Sequence, residues 1–191
     1  MTIPISPAAS EQSIAALAFD HSPVATIYTE RRVIRRANRA FATMFGLPSN
    51  GIVGLSMELF YPSREDSERI ARSADGPLRR TGHHSDERTM QRQDGSLFWC
   101  AVNGHSLTPD EPFLRSVWCF QDMSLQWDVS ELRPRDREVA ILVCEGRTAK
   151  EIGRLLELSP RTVETYLARI KHKLAVRNVA ELVARLHPPK S

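Results

Sequence analysis

The sequence predicts two unlike units in one chain: an α+β domain, built as an antiparallel sheet with helices on one face, followed by an all-α domain of four helices. Three observations carry this. Up to Asp122, short runs rich in β-branched and aromatic residues are punctuated by Gly, Pro, Asn and Asp, whereas beyond it apolar residues recur at helical spacing. Asp94-Gly95, lying between two such runs, is a strong hairpin signal. Charge divides at the same place. Residues 1–131 hold 13 Arg, no Lys and 16 acids, a net of −3, whereas residues 132–191 hold 13 Lys or Arg and 7 acids, a net of +6. A basic piece joined to an acidic one implies two different partners, one of them polyanionic.

Composition narrows the function classes. The 191 residues are 41% hydrophobic and 26% charged, the balance of a globular chain. No run approaches the ~20 apolar residues that span a bilayer, so no membrane partner is expected. Residues 1–13 lack the basic start and apolar run of a secretory signal, and the expected location is the cytoplasm. Cys100, Cys119 and Cys144 are odd in number and too far apart for a ligand pair, so they read as buried free thiols, with no metal site. There is no Gly-rich phosphate loop, nucleophile–base spacing or kinase signature, and an enzyme is not expected.

Along the chain, residues 1–12 read as a frayed tail. Residues 25–28 and 33–37 read as strands turning at Glu30-Arg31-Arg32. Phe41, Met44 and Phe45 fall on one face of a short helix closed by Gly46. A loop over 47–51 leads to a further helical stretch over 57–70. Residues 89–93, 97–103 and 114–121 complete the set as three strands. Asn38-Arg39-Ala40-Phe41 after the second strand, Gly95-Ser96-Leu97-Phe98-Trp99 opening another, and Asp122-Met123-Ser124 at the exit resemble a PAS sensor domain over residues 13–124. That resemblance implies a pocket between sheet and helices, often holding a small organic ligand, and frequent dimerisation. The candidate lining is Ile27, Phe41, Phe45, Phe60, Trp99, Val117 and Cys119. A photochemical flavin site would need a reactive cysteine within residues 57–69, where there is none. His83 and His84 stand where some PAS domains keep a haem ligand, but Gly82 and Ser85 beside them read as a solvated turn. Flavin and haem are therefore not expected. In residues 125–133, Leu125, Val129 and Leu132 fit either a short amphipathic linker helix or a plain linker.

The densest signal lies in residues 134–191. Pro134 starts a helix with Val139, Leu142 and Val143 inward, ended by Gly146. Thr148 caps a second helix carrying Ile152, Leu155 and Leu156. After a corner at Glu157-Leu158-Ser159, Pro160 opens a third, whose Val163, Leu167, Ile170 and Leu174 form one apolar stripe. A fourth helix carries Leu182, Val183 and Leu186, stopped by Pro188. Two helices joined by a three-residue corner match the helix-turn-helix, whose second helix enters the major groove of double-stranded DNA. With the stripe inward, Arg161, Glu164, Thr165, Ala168 and Lys171 face the groove, while Thr148, Lys150, Thr162, Lys173 and Arg177 lie within reach of phosphates. The competing reading is an inert helical bundle or a protein-binding one.

Leu132 to Val139, Gly146 with Lys150-Glu151-Ile152, Ser159-Pro160-Arg161-Thr162-Val163-Glu164, and Lys173-Leu174 with Asn178 resemble the LuxR/FixJ-type, GerE-like helix-turn-helix. Tyr166 departs from it, where that family usually has His. The resemblance implies base contacts from Glu164, Thr165 and Ala168, and phosphate contacts from Thr148, Lys150, Arg161, Thr162 and Lys173. It also implies an internal helix-tying role for Glu151, and a homodimer with RNA polymerase as a further partner. The acids and lysine of a phosphoacceptor receiver are missing from the first half. The expectation is a regulator whose PAS half senses a ligand or partner; the alternative is a PAS half that is a ligand-free dimerisation and docking module.

Overall fold

The computed structural model describes residues 11–48, 50–123 and 132–186. Residues 1–10 of the expected tail, the linker positions Leu125 and Val129, and Pro188 lie outside them. A helix α1 (Glu11–Asp20) begins inside the stretch expected to be a tail. Five strands follow, interrupted by helices: β1 (Ala25–Glu30), β2 (Val33–Ala37), α2 (Arg39–Phe45), a 3-10 turn (Met57–Phe60), α3 (Arg64–Thr81), β3 (His83–Gln91), β4 (Leu97–Ser106) and β5 (Arg115–Asp122). They form one antiparallel sheet in the order β2-β1-β5-β4-β3.

Local chemistry sets most boundaries. Asn38 caps α2 by accepting from Phe41 N, and Gly46 closes it in the left-handed region at φ 69°. The helical stretch expected over 57–70 is instead two elements. Ser56 and Ser63 each restart the chain by accepting from a backbone N–H, and α3 continues through Pro77 to Thr81. Strand β3 starts at His83, not at Thr89, so His83 and His84 stand in an edge strand and not in a turn, His83 exposed as expected and His84 not. His83 stacks on His105 with ring centroids 4.4 Å apart, and the His84 imidazole is buried near Asp86.

The helices cover one face of the sheet, where side chains alternate inward along β4 (Phe98, Cys100, Val102) and β5 (Trp118, Phe120). Phe41, Phe45, Phe60, Phe98 and Phe120 meet with ring centroids 4.4–5.6 Å apart, mostly edge to face. Trp118 lies across its neighbour strand because Gly104 leaves room; a Cβ there would sit 2.3 Å from the indole. Cys100 is buried, and Cys119 and Cys144 are half-buried; all three are free thiols.

The second unit comprises α4 (Pro134–Cys144), α5 (Ala149–Leu156), α6 (Pro160–Lys173) and α7 (Val179–Leu186). Their apolar stripes meet in a core of Val139, Leu142, Ile152, Val163, Ile170 and Leu182. Leu97 from β4 joins this cluster, so the two units share apolar contact.

Candidate nucleic-acid interface

The corner between α5 and α6 is built from three local devices. Leu158 N donates to Gly153 O at 2.8 Å, Glu157 takes the left-handed conformation at φ 55°, and Ser159 caps α6 by accepting from Thr162 N at 3.0 Å. Gly153 is required at the contact, since a Cβ would lie 2.5 Å from the Leu158 carbonyl oxygen. Below the corner, Asp136 in the first turn of α4 is fully buried. It accepts from Arg169 Nε at 3.0 Å and from Lys173 Nζ at 3.4 Å, tying α4 to the C-terminal half of α6. Burial alone would raise the Asp136 carboxyl, but Arg169 and Lys173 outweigh it and hold it below the usual carboxylate range.

With Val163, Ile170 and Leu174 sealed inside, the reverse of α6 stands open. Arg161, Glu164, Thr165 and Ala168 are exposed and Lys171 is half-buried. Lys150 is exposed near the start of α5. Among the described residues, the side chains of Arg161, Glu164, Lys171 and Lys150 make no intramolecular hydrogen bond or ion pair. The Thr165 hydroxyl bonds back to Arg161 O at 3.0 Å. Thr162 is half-buried against Ser159, and Thr148 is the cap of α5, its hydroxyl donating to Glu151 at 2.7 Å. Two expected roles change. Glu151 closes a capping box with Thr148 instead of tying helices, a task that falls to Asp136. Lys173 is drawn toward Asp136, so its ammonium already has an internal partner.

The sheet-containing unit has a cavity, lined by residues other than those expected. Ile27, Phe41, Phe45 and Phe60 are packed into the aromatic core, their surface spent on one another. Trp99, Val117 and Cys119 alternate with the inward residues and so occupy the other face of the sheet, where Trp99 Nε1 donates to Glu87 at 3.0 Å. The cavity lies one helix over, beneath α3, walled by Met57, Ile70, Val102, Phe113, Trp118 and Phe120. Its polar members are Arg32, Tyr61 and Arg88. About 20 Å³ is open to the centre of a water molecule, room for one or two waters.

Polar links not anticipated from the sequence join the two units among the described residues. Arg147, just before α5, pairs with Asp66 in the first turn of α3. Glu145 accepts from Thr89 N of edge strand β3 at 2.9 Å, and Glu138 accepts from Leu97 N at 3.4 Å. Asp66 is 3% exposed. Desolvation pushes its carboxyl up, but hydrogen bonds from Arg69, Ser63 and Arg147 prevail and lower it. The contacts engage α4 and the α4–α5 connection, leaving the open face of α6 clear of them.

The described residues thus form a five-stranded sheet with helices on one face, joined to a helix-turn-helix whose second helix presents an open face. A profile described as bacterial regulatory proteins of the luxR family matches residues 130–186, and a PAS-domain profile matches residues 22–124. The chain therefore belongs to the PAS-domain family over more than half of its length, and its C-terminal unit is similar to the luxR family of bacterial regulatory proteins. It is similar to the sensor protein TdiS of Thauera aromatica, 33% identical over 106 residues, which are 56% of this chain and 19% of that protein. It is also similar to the transcriptional regulatory protein FixJ of Bradyrhizobium diazoefficiens, 36% identical over 73 residues, which are 38% of this chain and 35% of that protein. The chain thus spans little more than a third, at most, of either relative. Among solved structures, it resembles the PAS domain of a LuxR-family transcriptional regulator from Burkholderia thailandensis, in complex with ethanol. The identity is 34% and the TM-score 0.56, covering 57% of this chain and 96% of that one. No described helix is long and apolar enough to cross a membrane.

Proposed function

We propose that the protein is a sequence-specific regulator that binds double-stranded DNA as a homodimer in the cytoplasm, with RNA polymerase as a further partner, and that its PAS domain senses a small organic molecule and thereby sets dimeric DNA binding. The observation that carries it is the open reverse face of α6, where the side chains of Arg161, Glu164 and Lys171 have no partner among the described residues while Val163, Ile170 and Leu174 are buried. Glu164, Thr165 and Ala168 read base edges; a carboxylate suits the cytosine amino group, and a small side chain suits the thymine methyl. Lys150, Arg161 and the backbone N–H groups at the start of α6 meet phosphates, joined by Thr148 and Thr162. Lys173 contributes only by sharing its ammonium with Asp136. The route of control runs through the Asp66–Arg147 pair and the two backbone N–H groups held by Glu138 and Glu145.

Gel-shift titrations across salt concentrations test this. Roughly six phosphate neutralisations per dimer give a log–log slope of about −5. Lys150→Ala is expected to weaken all duplexes alike, whereas Thr165→Ala changes the preference between duplexes. Equal losses on every duplex for both variants would overturn the assigned face. The narrowness of the cavity favours a second reading, in which the PAS half is a ligand-free dimerisation and docking platform. Native mass spectrometry of protein from its own host separates the two: a co-purifying small molecule supports sensing, and bare protein supports docking.

A further inference from the structure

Beneath α3, the cavity sets hydrogen-bond donors without acceptors against an apolar wall. Tyr61 is 8% exposed, and its hydroxyl accepts from Arg88 Nη1 at 2.8 Å. That bond uses the oxygen as acceptor and leaves the phenolic proton to donate; no acceptor for it occurs among the described residues. Arg88, 5% exposed, is already neutralised, because Nε donates to Asp86 at 2.8 Å. Arg32 is different. Its Nη2 donates to Ser67 Oγ at 2.6 Å and to Ser67 O at 3.2 Å, both neutral acceptors. Among the described residues it has no carboxylate partner.

The backbone at Arg32 points the same way. Arg31 and Arg32 form the two-residue turn between β1 and β2, and both are left-handed, at φ 50° and 63°. Such a turn favours Asn-Gly, and an arginine there is strained. The Arg32 guanidinium lies over the Phe113 ring, 5.9 Å from its centroid, at the cavity wall.

We propose that this cavity is a binding site for a short-chain carboxylate. Its oxygens accept from the free N–H groups of Arg32 and from the Tyr61 hydroxyl, and its alkyl tail lies against Ile70, Val102 and Phe113. A carboxylate is the complement because it only accepts, and because it supplies the charge that Arg32 lacks. The tail is short because the free space holds one or two waters. Occupancy also bears on Ser67, which holds Arg32 and is the chain neighbour of Asp66. The proposal rests on the reading of the PAS half as a sensor and gives that sensor its ligand class.

Calorimetric titration of the full chain with acetate and with acetamide, at matched ionic strength, tests it. Acetate is expected to bind at least roughly tenfold tighter, with the preference lost in Arg32→Gln, reduced in Tyr61→Phe and partly kept in Arg32→Lys. Equal or absent binding of the two probes to the unaltered protein overturns the proposal, whatever the variants do. So does a preference that survives Arg32→Gln. DNA affinity measured beside these titrations separates the two readings. Acetamide binding equally and shifting DNA affinity would sink the carboxylate class and spare sensing. Acetate binding with no shift in DNA affinity would keep the site and sink sensing.

Discussion

Removing the Arg147 guanidinium with Arg147→Ala should loosen the join between the two units, and the loosening is readable at two amides. Arg147 is 20% exposed at its side chain and Asp66 4%, so their pairing is largely shielded from solvent. A charge-assisted contact of this kind contributes about 1.5–3 kcal/mol. Two features lower the figure. Arg69 also donates to Asp66, at 2.8 Å, so Asp66 is not stranded when Arg147 is lost, and Arg147 has a second partner in Glu145 at 3.4 Å. We expect about 1.5–2 kcal/mol, which lowers the docked-to-open ratio roughly ten- to thirtyfold. The amides of Thr89 and Leu97 report that ratio, because their acceptors, Glu145 and Glu138, lie across the interface. Native-state hydrogen exchange should show both losing protection by the same factor, while Met90 and Val102 in the sheet core keep theirs. Asp66→Asn, combined with Arg147→Ala in a double-mutant cycle, should then add less than the sum of the two singles. Unchanged protection at Thr89 and Leu97, or strict additivity, would refute the claim that this pair holds the units together.

Other perturbations probe the helix-turn-helix unit itself. Asp136→Asn should destabilise it by about 1–3 kcal/mol, the low end reflecting that Arg169 and Lys173 are part-exposed and can rehydrate; urea unfolding measures this. The folded-state pKa values of Asp136 and Asp66 are both lowered, so their contribution is present above the ordinary Asp value near 4. It is lost as pH falls through the lowered values. Stability should therefore be level from about pH 7 to 5 and fall below about pH 4, with a shallower acid limb in Asp136→Asn. Gly153→Ala, which would stabilise an ordinary helix interior, should cost roughly 1–3 kcal/mol here, since its Cβ would meet the Leu158 carbonyl. A neutral or raised thermal midpoint would contradict the packing of the corner.

Local chemistry made much of this protein legible in its residues. Asp94-Gly95, the Gly46 stop, the Thr148 and Ser159 caps and the Val163–Leu174 stripe each express a preference spanning a few residues, and such preferences survive folding unchanged. The four-helix unit and the open face of α6 follow from them directly. Even the αL corner at Glu157 lies between two caps that the sequence announces.

Contacts between distant segments were decided elsewhere. Phe41 and Val117 are equally apolar on paper, yet only the pairing of β5 between β1 and β4 puts Val117 on one face and the phenylalanines on the other. That pairing also leaves the cavity beneath α3 instead of among the phenylalanines. Asp136 reads as one more acid in a first helical turn until α6 brings Arg169 against it, and Asp66 likewise until Arg147 arrives from 81 residues away. The chain alone settled which faces are apolar and where elements start and stop, because those depend on neighbours along the backbone. Only the tertiary structure decided which charges are partnered and which remain free to meet a ligand, because burial and pairing depend on what lies nearby in space.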